Sequence, residues 1–217
     1  MTGSADRHDH RDRMVDRLRI ADPRIDTAMR RVPREAFVPE AWAAIAYDDT
    51  PVPLAAEATV SAPHMVVLLL EALAPREGDH VLEVGAGMGY LAAVLAELVG
   101  PTGRVDAIEI DPMLAREASH RLAAQGYGPV AHVREGDGAL GLAEQAPFDG
   151  IVVSCATREL APAWTEQLRD GGRLVAPVGT AYEQILVTYT RHGRGGSRTD
   201  GVPCRFVPLR RAGTPHI

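Results

Sequence analysis

From residue 80 onward, short apolar runs alternate with longer stretches whose apolar positions recur at helical spacing. Val81 to Val84, Val105 to Ile110, Val130 to Val133, Gly150 to Ser154 and Arg173 to Pro177 read as strands. Between them, Tyr90 to Val99 is rich in Ala and Leu and predicts a helix. Asp111-Pro112 opens another that ends near Gly126, and a third spans about 160 to 169, stopped by Gly171-Gly172. Glu183 to Thr190 and Arg205 to Leu209 predict two closing strands joined by a Gly- and Arg-rich loop. Strands separated by helices imply right-handed crossovers and a parallel sheet covered on both faces. The expected fold is therefore α/β, with a doubly wound, mostly parallel seven-stranded sheet.

Upstream the pattern differs. Residues 1 to 13 alternate Asp, Arg and His and predict a disordered lead-in. A helix is expected at about 14 to 21, and a second from Asp22 to Arg31, where Asp caps and Pro takes the first helical position. Residues 32 to 60 are rich in Pro and Ala and predict loops with short elements. The apolar run from His64 to Leu73 predicts a buried helix, with Pro63 near its start. No internal repeat appears, and no linker divides residues 14 to 217.

Composition narrows the chemistry. The chain has 217 residues, 46% of them hydrophobic and 24% charged, which is the balance of one soluble globular domain. All 23 basic residues are Arg. Without Lys there is no Schiff base and no P-loop lysine. A net charge of -6 disfavours a general nucleic-acid binder. Apolar runs such as Met65 to Leu70 are too short to span a bilayer, and the polar N-terminus does not resemble a secretory signal. Two cysteines, Cys155 and Cys204, make neither a disulfide framework nor a four-ligand zinc site, so a cytoplasmic location is expected and no metal.

Three signals sit at three successive strand ends, where open α/β sheets bind ligands. Glu83-Val84-Gly85-Ala86-Gly87-Met88-Gly89 is a glycine loop between strand and helix, spaced Gly-x-Gly-x-Gly and preceded by an acid. That spacing favours S-adenosylmethionine over a nicotinamide dinucleotide; a plain strand-to-helix turn is the alternative. Glu109 ends the second strand, where an acid can accept both ribose hydroxyls; the alternative, an acid at a helix N-terminus, better describes Asp111. Asp137, between Gly136 and Gly138, can accept from an adenine amino group or simply make a tight turn. No nucleophile elbow, HExxH or CxxC pattern is present, and no His is assigned a catalytic role. A methyl acceptor that is already a carboxylate, with a pKa of about 4, needs no base but only alignment.

The residues Asp22-Pro23-Arg24, Ala28 to Arg34, Phe37-Val38-Pro39 and Ala46 to Pro51 form a recognisable N-terminal signature. With Ala58-Thr59-Val60-Ser61-Ala62-Pro63-His64-Met65, Gly136 to Gly141, Ala146 to Asp149 and Gly171 to Gly179, the chain from about Met14 to Leu209 closely resembles the protein-L-isoaspartate O-methyltransferase family. The resemblance implies a Rossmann-like methyltransferase whose N-terminal helical and loop segment forms the substrate cleft. It divides the chain into that segment (14–79), a cofactor-binding sheet (80–179), and closing strands with a basic tail (180–217). It also implies that Ser61 is the active-site serine, that Thr59 lines the cofactor, and that Glu83, Gly85, Gly87, Glu109, Asp137 and Gly138 belong to the cofactor site. On residue chemistry alone Ser61 reads as the N-cap of the following helix. Both roles stay open.

The implied reaction passes the methyl of S-adenosyl-L-methionine to the α-carboxylate of an isoaspartyl residue in a damaged protein or peptide, leaving S-adenosyl-L-homocysteine. The ester then closes to a succinimide that reopens partly to aspartate, which is repair. A monomer is the expected state, with no nucleic-acid or membrane partner. Three departures bear on substrate. Leu54-Ala55-Ala56-Glu57 stands where the family usually has Ile-Gly-x-Gln; Ser154 to Glu159 is bulkier and more charged than usual; and residues 191 to 217 hold six Arg against one Asp. They motivate an alternative, the tailoring of a ribosomally made precursor peptide by methylating an aspartate side chain to form an aspartimide. A reading of a different class is a module that senses cofactor or peptide without turnover.

Overall fold

The structure, a computed structural model, describes residues 4–54 and 57–213. Helix α1 runs from Ser4 to Leu18, so the segment expected to be disordered up to residue 13 is helical from residue 4. Residues 4 to 13 show no apolar stripe because the helix makes its core contacts further on, at Met14 and Val15. Arg11 is buried and Met14 and Val15 are in the core, while Asp12 and Asp16 pair with Arg30, 3.3 and 2.5 Å away. Arg30 sits in α2 (Pro23–Arg31), whose N-cap Asp22 accepts from the Arg24 N–H as expected. Short 3-10 turns at Arg34–Phe37 and Glu40–Ile45 lead to a small antiparallel hairpin, β1 (Val52–Pro53) with β2 (Thr59–Val60). Ala55 and Ala56, within one of the sequence departures, lie outside the described residues. Helix α3 (Pro63–Leu73) is buried along most of its length.

The main sheet is built from β3 (His80–Val84), β4 (Arg104–Glu109), β5 (Ala131–Glu135), β6 (Phe148–Val153), β7 (Leu168–Gly179), β8 (Gln184–His192) and β9 (Gly195–Cys204). Its order is β5-β4-β3-β6-β7-β8-β9; the pairs among β3 to β7 are parallel, and β8 and β9 return antiparallel. Helices α4 (Tyr90–Val99), α5 (Pro112–Ala124) and α6 (Pro162–Gln167) make the crossovers. One apolar cluster gathers α3, α4 and α5; a second gathers Leu142, Phe148, Trp164 and Leu168. This is the expected α/β, mostly parallel seven-stranded sheet. No helix among the described residues is long and apolar enough to cross a membrane.

Two expectations fail near the C-terminus. The third crossover helix is only six residues long, because Leu168 already pairs with Phe148 at the start of β7. The closing strand is Gly195–Cys204, within the segment read as loop, not Arg205 to Leu209. All but one residue of β9 are exposed, so it has no buried face to leave an apolar alternation in the sequence. What makes it a strand is its ladder on β8 through the tight turn at Gly193, where φ is +58°. Residues 205 to 209 instead run along the carboxyl edge of the sheet. There Ala156 N–H donates to Val207 O and Leu209 N–H to Ala156 O, both at 2.8 Å.

At the opposite edge Asp106 is fully buried. It accepts from Arg104 Nε at 2.8 Å and lies 2.7 Å from His80 Nε2. Burial alone would raise its pKa, but His80 and Arg104 outweigh it and hold the carboxyl at about 2.

Candidate active site

The chain winds from β3 out to β5 and then returns to β6 on the other side of β3. The crevice outside the carboxyl ends of β3 and β6 is thus the switch point of the sheet. Gly85, with φ of +91°, turns the chain out of β3, and Gly85 and Ala86 N–H both donate to Ile108 O. The loop then approaches Glu109 closely. Gly87 N–H donates to Glu109 Oε2 at 2.8 Å, while Oε1 accepts from Asp111 N–H at 3.0 Å and lies 3.4 Å from Arg210 Nη2. The carboxylate is almost wholly buried and held in one orientation.

Asp137 follows β5. Its Oδ1 accepts from Ala139 N–H at 3.0 Å; its Oδ2 accepts from Ala212 N–H at 3.1 Å and lies 3.4 Å from Arg211 Nε. Gly138 is fixed from both sides. A Cβ there would lie 2.5 Å from Val84 Cγ1, and its carbonyl accepts from the buried Trp164 Nε1 at 2.7 Å. Gln167 completes the clamp, accepting from Leu142 N–H and donating to Leu140 O. Helix α6 therefore sets the position of the loop after β5.

Glu83 is 1% exposed at the penultimate position of β3. Its Oε2 and the Ser154 Oγ are buried with no hydrogen-bond partner. Burial, then the nearby Glu109, pushes the Glu83 pKa well above the usual 4.5, against a smaller lowering by the Ser154 hydroxyl beside it, which is close but not aligned as a full hydrogen bond. The two atoms share an inner pocket with Thr59, Ser61 and Gly85. Thr59, Gly85, Gly87, Glu109 and Gly138 line the adjoining one, with Arg210. The polar groups fit the nucleoside of S-adenosylmethionine at Glu109 and Gly138, and its amino-acid end at the adjacent Glu83 and Ser154, whose buried oxygens are incompletely satisfied.

Ser61 lines both the inner pocket and an open cleft of about 780 Å³. It does not cap α3. The N-cap is Ala62, without a side-chain bond, and the capping oxygen comes from Asp49. Asp49 Oδ1 accepts from His64 N–H at 2.9 Å and lies 2.8 Å from His64 Nδ1. The hydroxyl of Ser61 is thus not used for capping.

All eight expected site residues lie around this switch point. Asp137 alone lines none of these cavities; its carboxylate ties the C-terminal segment to the loop after β5. Sequence reasoning missed Ser154, the Asp49–His64 pair and the cavity wall at Val207 to Arg210. Asp49 and His64 stood inside the motifs already singled out, but nothing in the sequence pairs residues fifteen apart across a hairpin. Cys155 and Cys204 are both free thiols. Burial raises both, Cys204 to about 11, so neither is a ready thiolate at neutral pH.

The family model for protein-L-isoaspartate(D-aspartate) O-methyltransferase matches residues 10–213. Protein-L-isoaspartate O-methyltransferase 2 of Anaeromyxobacter sp. (strain Fw109-5) is 50% identical over 196 residues, covering 89% of this chain and 79% of that one. The Methanothrix thermoacetophila protein-L-isoaspartate O-methyltransferase is 45% identical over 200 residues, covering 92% and 94%. A solved protein-L-isoaspartate O-methyltransferase superposes with a TM-score of 0.84 at 25% identity, over 93% of this chain and 65% of that longer one. A Plasmodium falciparum structure in complex with S-adenosyl-L-homocysteine gives 0.82 at 24%, over 92% and 98%. These relatives carry the isoaspartate name and do not favour the precursor-peptide alternative. With a matching model over nearly its whole length and a switch-point crevice of the same fold, the chain belongs to the protein-L-isoaspartate(D-aspartate) O-methyltransferase family.

Proposed function

We propose that the protein methylates the α-carboxylate of L-isoaspartyl residues in damaged proteins or peptides, using S-adenosyl-L-methionine. The observation that carries this reading is the position of Ser61, with its hydroxyl free of capping duty at the boundary between the inner pocket and the open cleft. Glu109 holds the ribose, Gly138 borders the adenine side with Asp137 fixing its loop from behind, Gly85 and Gly87 give close backbone approach, and Thr59 walls the pocket. Glu83 and Ser154 receive the amino-acid end.

The cofactor supplies an electrophilic methyl on a sulfonium. Ser61 donates a hydrogen bond to one oxygen of the substrate carboxylate, which leaves the other oxygen to attack the methyl carbon in line. The carbon–sulfur bond breaks with its electron pair going to sulfur, and S-adenosyl-L-homocysteine leaves. A carboxylate is ionised at neutral pH, so the site needs no general base. The ester can expel methanol, whereas the carboxylate would have to expel oxide, so the neighbouring backbone nitrogen attacks the ester carbonyl, loses its proton and closes a succinimide without further help as methanol leaves. Water reopens it partly to aspartate.

The free thiols suit a reducing cytoplasm, and we read the protein as a monomer there. Labelled methyl transfer to an isoaspartyl peptide and to its aspartyl twin tests the function. Strong preference for the isoaspartyl peptide is expected. Equal transfer to both, or none, overturns it.

A further inference from the structure

We propose that the open cleft beside Ser61 selects isoaspartyl sites with acidic neighbours, through Arg158 and Arg205. This rests on the reading that the cleft receives the isoaspartyl peptide. Among the described residues no Asp or Glu lines the cleft; its lining cations are these two guanidinium groups, and the other ionisable linings are Cys204 and His64, whose ring meets Asp49 behind it. Both arginines are exposed, and neither has a hydrogen bond or ion pair among the described residues. Neighbouring arginines are committed elsewhere. Arg210 reaches Glu109, Arg211 reaches Asp137, and Arg191 donates to the carbonyls of Glu166 and Leu168. Among the described residues, nothing engages the side chains of Arg158 and Arg205.

Their backbones are fixed although their side chains are free. Next to Arg158, Thr157 N–H donates to Pro177 O at 3.0 Å and Thr157 O accepts from Gly179 N–H at 2.9 Å. Next to Arg205, Phe206 N–H donates to the buried Gln184 Oε1 at 2.7 Å, and Gln184 Nε2 donates back to Phe206 O at 3.1 Å. The cations therefore stand at set places on rigid walls, so that ordering them costs side-chain entropy only. The whole protein carries a net charge of -6, which repels acidic chains in general. A cleft lined by the opposite sign reverses that locally and concentrates field where the substrate carboxylate must arrive. Carboxylates flanking the isoaspartyl residue would pair with the guanidinium forks.

The test compares kcat/KM for three isoaspartyl peptides that differ only at the flanking positions, which carry Glu, Gln or Arg. The Glu-flanked peptide is expected to lead the Gln-flanked one by about fivefold at low salt, the scale of one or two exposed ion pairs. The lead should shrink as salt is raised. The double reversal Arg158→Glu with Arg205→Glu should invert the order, so that the Arg-flanked peptide leads. The single variants Arg158→Gln and Arg205→Gln should each lose part of the preference, and they serve if the double variant does not fold. Equal kcat/KM for Glu and Gln flanks, or a preference that survives these changes, overturns the assignment. Absence of transfer to all three peptides overturns the proposed function instead.

Discussion

Asp49 Oδ1 holds His64 twice, taking its backbone N–H at 2.9 Å and meeting its ring Nδ1 at 2.8 Å. One oxygen thereby fixes the first turn of α3, and with it Ser61 three residues upstream. Asp49→Ala is expected to lower kcat/KM for an isoaspartyl peptide about tenfold, the scale of a lost cap plus a displaced hydroxyl. The cofactor Kd should stay within about twofold. Asp49→Asn keeps an acceptor oxygen and should be milder. Steady-state kinetics with titration calorimetry would show both, and an unchanged kcat/KM in the Ala variant would remove the anchoring role.

Ser61 and Glu109 should separate chemistry from cofactor binding. Ser61→Ala is expected to lower kcat by about tenfold or more while cofactor affinity holds. Glu109→Ala leaves the Gly87 and Asp111 N–H groups without their acceptor and should weaken cofactor binding by more than about tenfold. Single-turnover methyl transfer and equilibrium binding distinguish the two; matching profiles would mean that the roles are misassigned.

Gly138→Ala tests packing against chemistry. The added Cβ meets Val84 at the end of β3, so a loss of about 1–3 kcal/mol of stability is expected. In a chain of this size that lowers Tm by several degrees. A thermal melt without cofactor reads it directly, and an unchanged Tm would mean that the loop after β5 yields easily despite Trp164.

Glu83 gives a pH signature. Burial and then Glu109 raise its pKa in the folded chain, so between the unfolded carboxyl value and the raised one the folded state binds the extra proton. Stability falls as pH rises through that window. Glu83→Gln removes the titration. Relative to the parent, the variant should therefore gain stability at about pH 8 compared with about pH 4. A gap in Tm that is the same at both ends would contradict a raised Glu83.

Much of this was legible in the sequence because it is local. The β3-to-α4 turn shows as Glu83 to Gly89, the α2 cap as Asp22-Pro23, and each sheet strand from β3 to β7 as an apolar run. The misreadings share a cause. Residues 4 to 13 carry no apolar stripe and extend a helix whose core contacts come later, at Met14 and Val15, and β9 is held by its ladder on β8, so neither shows as an apolar pattern. Ser61 looked like a cap because the actual cap, Asp49, comes from outside the segment. Arg158 and Arg205 share one cleft only because the segment after β9 returns along the carboxyl edge to bond Ala156, just beyond β6.

Glu109 and Asp137 both touch the stretch from Arg210 to Ala212, and Val207 to Leu209 wall the same cavity. Strands β3 to β6 leave the ribosome well before that stretch does. Until that stretch has emerged, one wall of the pocket is missing whatever the earlier strands have formed. The order of translation thus sets the order of competence: the cavity gains its last wall only once residues 207 to 212 have followed the strands into the fold.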